Sequence, residues 1–205
     1  MSAALLLGAA AGFALGSLPF GWLLTLRGAS RDVREAGSGN IGATNVLRVA
    51  GPGLAAWTLV LDAGKGAAAA VLAGAIGAGD GVSGQAGCLG AVVGHMFTPW
   101  LGFRGGKGTA TGAGALAVLA PLPLAAALGV FGVTAGLTRR VSAGSLAAAV
   151  TFPGWAALLG ASSATVAAGA AVAGLLLWSH RANLARLLSG REPRITFGRP
   201  RGGRR

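Results

Sequence analysis

Long apolar segments alternate with short polar ones along the whole chain. Seven apolar segments stand out, near residues 3–26, 53–77, 84–101, 109–120, 122–138, 143–160 and 163–180. A helix needs about 20 residues to cross the hydrocarbon core of a bilayer, and a spanning helix satisfies its own backbone hydrogen bonds. The pattern therefore predicts an all-α fold, a polytopic membrane helix bundle with seven transmembrane helices.

Glycine and alanine dominate these segments. Small residues one turn apart let helices approach closely in lipid, so we expect packing faces at Gly12 and Gly16 and at Ala170 and Gly174. Pro121 and the nearby Pro123 predict the turn between the fourth and fifth segments.

The basic residues fall in alternate loops. All 17 Lys and Arg residues except Lys65 follow the first, third, fifth or seventh segment, whereas the loops around 79–81, Pro121 and Ser162 hold none. Cytoplasmic loops carry the excess of Lys and Arg. This bias predicts an external N-terminus and a cytoplasmic C-terminus.

The composition is that of one membrane domain spanning 1–205, with a basic cytoplasmic tail at about 191–205. Of its 205 residues, 53% are hydrophobic and 11% charged, and the mean hydropathy is +0.67. The net charge of +12 fits the topology signal and attraction to anionic lipid headgroups. With seven spans beside it, we expect the tail to bind membrane lipid and no nucleic acid.

A glycine-rich basic stretch joins the third and fourth segments. It places Arg104 and Lys107 among Gly105, Gly106 and Gly108. Glycine backbones can converge on an anion and cations add charge-assisted hydrogen bonds, so the stretch predicts a phosphate cradle. It is not a Walker A loop, because Lys107 is followed by glycine rather than Ser or Thr, which disfavours nucleotide hydrolysis.

The other basic loops carry amides and hydroxyls. Several of these residues are candidates to bind the phosphate or the hydroxyl group of an anionic ligand. They are Ser38, Thr44, Asn45 and Arg48 in the first loop, Ser142 and Ser145 in the third, and His180 and Asn183 after the seventh segment. Ser38 and the two later serines are equally compatible with turns or helix caps. His180 and Asn183 would share a face if the helix continued, and the alternative is an interfacial helix with snorkelling arginines.

Charged or titratable residues also occur inside the apolar segments. Asp62 and Lys65 lie at i,i+3 on one helix face, and we favour a structural ion pair over substrate contact because charges in a span are costly unless paired. His95 is compatible either with interhelical packing or with ligand contact.

These clusters share a chemistry, since they are rich in cations, hydroxyls and amides and contain few carboxylates. Such a site suits phosphorylated, anionic ligands at a membrane surface. Two distant histidines and a single cysteine give no convincing metal site, no cofactor motif is evident, and no Ser-His-Asp set is expected to assemble.

Three motifs carry a family resemblance. Ser38-Gly39-Asn40 through Asn45, Gly94-His95 followed by Gly105-Gly106-Lys107-Gly108, and His180-Arg181-Ala182-Asn183 ending in Gly190-Arg191-Glu192-Pro193 resemble the motifs of the bacterial integral-membrane glycerol-3-phosphate acyltransferases that use acyl phosphate, the PlsY family. The resemblance covers nearly the whole chain. Ile41 departs from it where relatives often have Pro, and Ala182 where they often have a charged residue.

The resemblance implies a seven-span enzyme of the bacterial cytoplasmic (inner) membrane with its active site facing the cytoplasm. Its partners would be acyl phosphate, glycerol 3-phosphate and an enzyme that produces acyl phosphate, with no cofactor. It implies acyl transfer to the 1-hydroxyl of sn-glycerol 3-phosphate, giving lysophosphatidic acid and phosphate, the first acylation of phospholipid synthesis. By likeness the site is lined by Ser38, Arg48, Lys107, Ser145, His180 and Asn183. The hydroxyl proton would pass to His180 or to the leaving phosphate, and we favour the phosphate.

Two rival functions remain at this point. A transporter of a phosphorylated solute would explain intramembrane Asp62 and Lys65, although the external loops carry few polar groups. A lipid-phosphate phosphatase or headgroup transferase would usually need a nucleophilic His with an acid, or a metal bound by carboxylates, and neither is visible.

Overall fold

The structure is a computed structural model, and it describes residues 2–194. Most of the predicted basic tail, residues 195–205, lies outside the described residues. Within 2–194 the chain forms ten α-helices and short 3-10 turns at Val33–Glu35 and Pro99–Leu101, without a β-strand. The helices are α1 (Ala3–Gly16), α2 (Phe20–Ala29), α3 (Ala43–Ala50), α4 (Pro52–Ile76), α5 (Ser83–Met96), α6 (Thr109–Leu119), α7 (Pro121–Thr138), α8 (Val141–Leu158), α9 (Ser163–Ser179) and α10 (Arg181–Leu188).

An all-helical fold is thus confirmed in the described part of the chain. By length and hydropathy, four helical units in this part are suited to cross a bilayer: Ala3–Ala29, Pro52–Ile76, Pro121–Thr138 and Val141–Leu158. The pair of α9 and α10 would make a fifth if taken as one broken span. The remaining predicted spans correspond to α5 and α6, of 14 and 11 residues, which are shorter than a bilayer requires. The count of seven spans and the orientation of the termini stay predictions.

Several boundaries differ from the sequence-based expectation. The first segment is divided at Ser17–Pro19 into α1 and α2, because proline lacks the N–H that would continue the helix. The third segment ends at Met96 rather than near residue 101. After the seventh, the chain bends by 67° between α9 and α10, so the helix does not continue straight through His180, although His180 and Asn183 both line the same cavity. Pro121 does begin α7, as the predicted turn requires.

Close helix contact depends on glycine at several crossings. A Cβ on Gly12 would overlap the backbone of Gly87, and one on Gly16 would overlap Ala91, so α1 lies directly against α5. The predicted face at Gly12 and Gly16 is therefore confirmed. The predicted face at Ala170 and Gly174 is wrong, since both residues are exposed on α9 and a Cβ added to Gly174 would meet no atom of the described residues 2–194 within 4 Å.

The helices form two groups that meet around a cavity. Helices α1, α4, α5 and α6 pack together on one side, and α7, α8 and α9 on the other, with α9 also touching α5 and α6. Apolar residues from both groups make the main core, including Val92, Leu116, Phe152, Val172 and Leu176. The short helices α3 and α10 lie at one end of this bundle, where the polar loops converge.

Candidate active site

One large cavity of about 740 Å³ runs from the polar loops into the bundle. Its lining changes character along its length. At the loop end it is lined by Ser38, Thr44, Asn45, Arg48, Lys107, Ser142, Ser145, His180, Asn183, Arg186 and Glu192. The apolar part of the lining comes from α6 to α9 and includes Leu116, Leu124, Leu128, Phe131, Phe152 and Val172. The cavity can therefore accept a molecule with an anionic head and an apolar chain.

Asn45 organises the first loop from within. Its Oδ1 accepts a hydrogen bond from the Ser38 N–H at 2.8 Å, and its Nδ2 donates to the carbonyl oxygens of Val33, Ala36 and Asn40 at 2.9 to 3.0 Å. The side chain is buried and these bonds use both of its amide atoms. Asn45 thus shapes the loop that presents Ser38, rather than offering a free amide to a ligand.

The glycine loop is built differently from the sequence-based expectation. The N–H groups of Gly105 and Gly106 donate to the carbonyl oxygens of Met96 and His95, each at 3.0 Å. These amides are therefore engaged with the end of α5, and neither glycine lines the cavity. Gly108, with φ +80°, is the N-cap of α6, and it lines the cavity together with Thr109 and Ala110 of the first helical turn.

Lys107 lies between that helix start and α10. Its Nζ donates to Asn183 Oδ1 at 2.5 Å, and the Asn183 amide Nδ2 donates to Glu192 Oε1 at 2.6 Å. Glu192 also accepts from Ser142 Oγ at 2.7 Å and from Arg186 Nε at 2.7 Å. The carboxylate thus fixes Asn183 with its oxygen toward Lys107.

Burial and charge lower the pKa of Lys107 from 10.5 to about 8. Loss of solvation is the main cause; Arg186 and Arg48 lower the pKa further, and Glu192 raises it. Burial also raises the pKa of Glu192, but the hydrogen bonds from Ser142, Asn183 and Arg186 outweigh it and leave that carboxyl below its ordinary value. Near neutral pH the site therefore contains an ammonium whose attraction to an anion is stronger than it would be in water.

His180 sits at the bend between α9 and α10 and is buried. Its Nδ1 lies 2.8 Å from the Leu176 carbonyl oxygen, which can only accept a hydrogen bond. The ring therefore carries its proton on Nδ1, and Nε2 keeps a lone pair for a hydroxyl.

Ser142 and Ser145 begin α8 without capping it. The N-cap residue is Arg140, which makes no side-chain capping bond. Arg140 instead donates to the carbonyl oxygens of Glu192 and Gly190 at 3.1 and 3.2 Å and holds the segment that carries Glu192. Both serines are buried at the cavity wall.

The structure thus brings the predicted residues of four separate segments to one cavity, apart from Gly105 and Gly106; their catalytic and binding roles stay predictions. The sequence analysis gave Glu192 no role. A signal was present, because Glu192 is the sole acidic residue of the strongly basic stretch 163–205. Asp62 and His95 also line the cavity. In the described range 2–194, no three His, Cys, Asp or Glu side chains are grouped to hold a metal ion.

Comparison with known proteins places this geometry in context. The family model for glycerol-3-phosphate acyltransferase matches residues 6–190. The glycerol-3-phosphate acyltransferase of Gluconobacter oxydans is 46% identical over 188 residues, covering 89% of each chain. That of Sinorhizobium fredii is 47% identical over 193 residues, covering 94% of this chain and 93% of its own.

Solved structures agree with the sequence relatives. The crystal structure of PlsY, an integral membrane glycerol 3-phosphate acyltransferase, in its glycerol 3-phosphate form superposes with a TM-score of 0.87 at 30% identity, covering 94% of this chain and 96% of its own. The lysophosphatidic acid form of PlsY gives a TM-score of 0.83 at 29% identity, covering 94% and 95%.

Proposed function

Because the chain belongs to the glycerol-3-phosphate acyltransferase family, and within it to the PlsY family, we propose that it transfers a fatty acyl group from acyl phosphate to sn-glycerol 3-phosphate. The products are lysophosphatidic acid, acylated at the 1-hydroxyl, and inorganic phosphate. The relatives' names and the bound forms of PlsY support the acceptor and the lipid product. The acyl-phosphate donor rests on the resemblance of the three motifs to those of the PlsY family.

The observation that carries the proposal is a single cavity with a cationic mouth and an apolar interior. Two anionic phosphates must come together for this reaction. Arg48 and Lys107 supply two cations at the mouth, and the first turn of α6 supplies backbone N–H groups and the positive end of a helix dipole. The acyl chain lies against Leu124, Phe131 and the other apolar residues of the interior.

The reaction is a direct acyl transfer. The 1-hydroxyl oxygen attacks the carbonyl carbon of the acyl phosphate, so that an ester C–O bond forms as the C–O bond to phosphate breaks. The phosphate leaves with the electron pair and receives the hydroxyl proton. Acyl phosphate is a mixed anhydride with a good leaving group, so no covalent enzyme intermediate is needed, and catalysis consists mainly of positioning and charge stabilisation.

The polar side chains have distinct roles in this scheme. Arg48 and Lys107 offset the repulsion between the two phosphates, and Lys107 stabilises the charge that develops on the leaving group. His180 Nε2 accepts a hydrogen bond from the attacking hydroxyl and orients it. Ser38 and Ser145 line the cavity, and in this scheme their hydroxyls donate to substrate oxygens, whereas the Ser142 hydroxyl is already donated to Glu192.

For membrane topology, we propose seven spans with the N-terminus outside, and a site that faces the cytoplasm of a bacterial inner membrane. The support is the distribution of Lys and Arg among the loops. A soluble, cytoplasmic acceptor such as glycerol 3-phosphate is then on the side of the cationic mouth. An enzyme that makes acyl phosphate would be a functional partner.

The test measures phosphate release by the purified protein in detergent or lipid. Palmitoyl phosphate is supplied with and without sn-glycerol 3-phosphate, and palmitoyl-CoA serves as the control donor. We expect release that depends on the acceptor, and no lysophosphatidic acid from the CoA donor. Acceptor-independent release would indicate a phosphatase, product from palmitoyl-CoA would refute the donor, and no release from folded protein would favour the transporter.

A further inference from the structure

Three titratable side chains lie together beneath the glycine loop, and none has a part in the transfer scheme. They are Asp62 and Lys65 of α4 and His95 of α5, each at most 5% exposed. Lys65 Nζ lies 2.8 Å from Asp62 Oδ1 and 2.9 Å from His95 Nδ1, and it donates to the Leu18 carbonyl oxygen at 2.6 Å. Asp62 Oδ1 receives no directed hydrogen bond in the described residues, so its attraction to Lys65 is mainly that of an ion pair.

This arrangement decides where the His95 ring carries its proton. An ammonium group is a donor only, so the contact between Lys65 Nζ and His95 Nδ1 requires Nδ1 to accept. A neutral ring then carries its proton on Nε2. The pairing with Asp62 keeps Lys65 charged inside the bundle, and the ion pair thereby sets the tautomer of a neighbouring histidine.

The Nε2 edge of this ring faces the glycine loop. A Cβ added to Gly106 would overlap His95 Nε2, so the ring edge occupies the space that a side chain at 106 would need. The Gly106 N–H also donates to the His95 carbonyl oxygen at 3.0 Å. His95 therefore contacts Gly106 through both its ring and its backbone, immediately before Lys107.

His95 also has an unused donor at the cavity. Hydrogen bonds involving the ring reach Nδ1, from Lys65 and from Thr111 Oγ1 at 3.3 Å, and within residues 2–194 Nε2 has no recorded partner. Both His95 and Asp62 belong to the cavity wall. The buried ring thus places a polar Nε2–H beside the loop that carries the phosphate-binding lysine.

We propose that His95 is a positioning residue of the acyltransferase site, locked as the Nε2–H tautomer by the Asp62–Lys65 ion pair so that its ring holds the glycine loop and places Lys107. The proposal rests on the proposed function for its kinetic consequence. Its structural premise, the tautomer and what fixes it, is independent of that function.

The premise is tested by ¹⁵N NMR of histidine-labelled protein in lipid. The chain has two histidines, so the signal absent from His95→Gln is assigned to His95. We expect the Nε2–H tautomer in the unaltered protein and loss of this preference in the neutral double variant Asp62→Asn/Lys65→Met. Removing both charges avoids the penalty of a single unpaired buried charge. An Nδ1–H tautomer in the unaltered protein would overturn the proposal.

The consequence is tested by comparing His95→Asn with His95→Gln. The Asn carbonyl can keep the Nδ1 contact with Lys65 but leaves the space beside Gly106 empty, whereas the Gln amide can place an N–H where Nε2 was. We expect His95→Asn to lower kcat/KM for glycerol 3-phosphate by about 10²-fold, the scale of a misplaced site group. The loss should lie mainly in KM, and His95→Gln should recover most of it.

A purely structural role would give another pattern. Thr58→Val is the matched control, because Thr58 is a buried polar residue of the same α4 helix. Among residues 2–194, its hydroxyl donates only to the Leu54 carbonyl oxygen of its own helix. This substitution should leave KM unchanged. Unaltered kinetics in His95→Asn, or equal losses in the Asn and Gln variants, would overturn the proposal. If the unaltered protein showed no acyl transfer, the proposed function would be overturned, but the NMR result on the His95 tautomer would still stand.

Discussion

The protonation of Lys107 should control how the acceptor binds as pH changes. The structure lowers the pKa of this lysine from 10.5 to about 8, which corresponds to a loss of about 3 kcal/mol in preference for the charged form. In the proposed scheme the ammonium holds a phosphate, so binding should weaken as the lysine loses its proton. The protonated fraction falls about tenfold between about pH 7 and about pH 9, and kcat/KM for glycerol 3-phosphate should fall by the same factor.

The assay is initial-rate phosphate release at a fixed, subsaturating concentration of acyl phosphate, with the acceptor varied at each pH from about 6 to about 10 and the non-enzymatic hydrolysis subtracted. The dependence of kcat/KM on pH reports groups of the free enzyme and free substrate. Ionisation of the acceptor's own phosphate, with a second pKa of about 6, accounts for the acidic limb. The alkaline limb is assigned to Lys107.

Two variants test that assignment. Lys107→Arg carries a guanidinium that stays charged throughout the range, so its alkaline limb should disappear even if its activity is lower. Arg186→Gln removes a cation that lowers the pKa of Lys107, so its alkaline limb should move to higher pH. Arg104→Gln, an exposed residue of the same loop that does not line the cavity, is the control. A flat profile up to about pH 9, or an alkaline limb that persists in Lys107→Arg, would refute the reasoning.

Further substitutions probe the other parts of the site. Lys107→Ala and Arg48→Ala should each abolish acyl transfer while membrane insertion, measured by fractionation, survives; wild-type turnover in both would refute the cationic mouth. Glu192→Gln should destabilise the protein by about 2 kcal/mol, the scale of a hydrogen bond to a charged group, in thermal unfolding at neutral pH. The carboxylate's contribution is complete above its ordinary pKa and is lost as pH falls through its lowered value, so the two proteins should converge in acid. Gly169→Ala should shift preference toward shorter acyl phosphates, because its Cβ would lie 2.5 Å from the Phe152 ring at the cavity wall; an unchanged chain-length profile would contradict this.

The sequence predicted the helices better than it predicted their ends. Apolar runs mark what must be buried or face lipid, so the segments were recognised at nearly their observed positions. The lengths of the helices were not predicted correctly, because a helix can end while the sequence stays apolar. Pro19 gave a local signal for the break between α1 and α2, whereas the end of α5 at Met96 depends on the glycine loop folding back onto it.

In the candidate site, the sequence likewise predicted which residues line the cavity better than it predicted the contacts that each residue makes. Residue types and spacing were enough to select most cavity residues, since cations and hydroxyls concentrated in the basic loops. The partner of each polar group depends on the path of the loop. Asn45 has the chemistry of a ligand but is used by three backbone carbonyls, and the Gly105 and Gly106 amides are used by α5. No pattern of spacing distinguishes these outcomes.

The contacts of Glu192 show how the site proposed to bind two anions can contain a carboxylate. Its oxygens accept hydrogen bonds from Ser142, Asn183 and Arg186. Within residues 2–194 its hydrogen-bonded link to Lys107 runs through the neutral amide of Asn183. If the carboxylate paired directly with Lys107, an incoming phosphate would have to displace it. The inserted amide satisfies one ammonium donor without neutralising the charge, because the carboxylate holds the amide nitrogen and leaves its oxygen for the lysine. Glu192 thus orders the mouth of the cavity while Lys107 stays available to an anion.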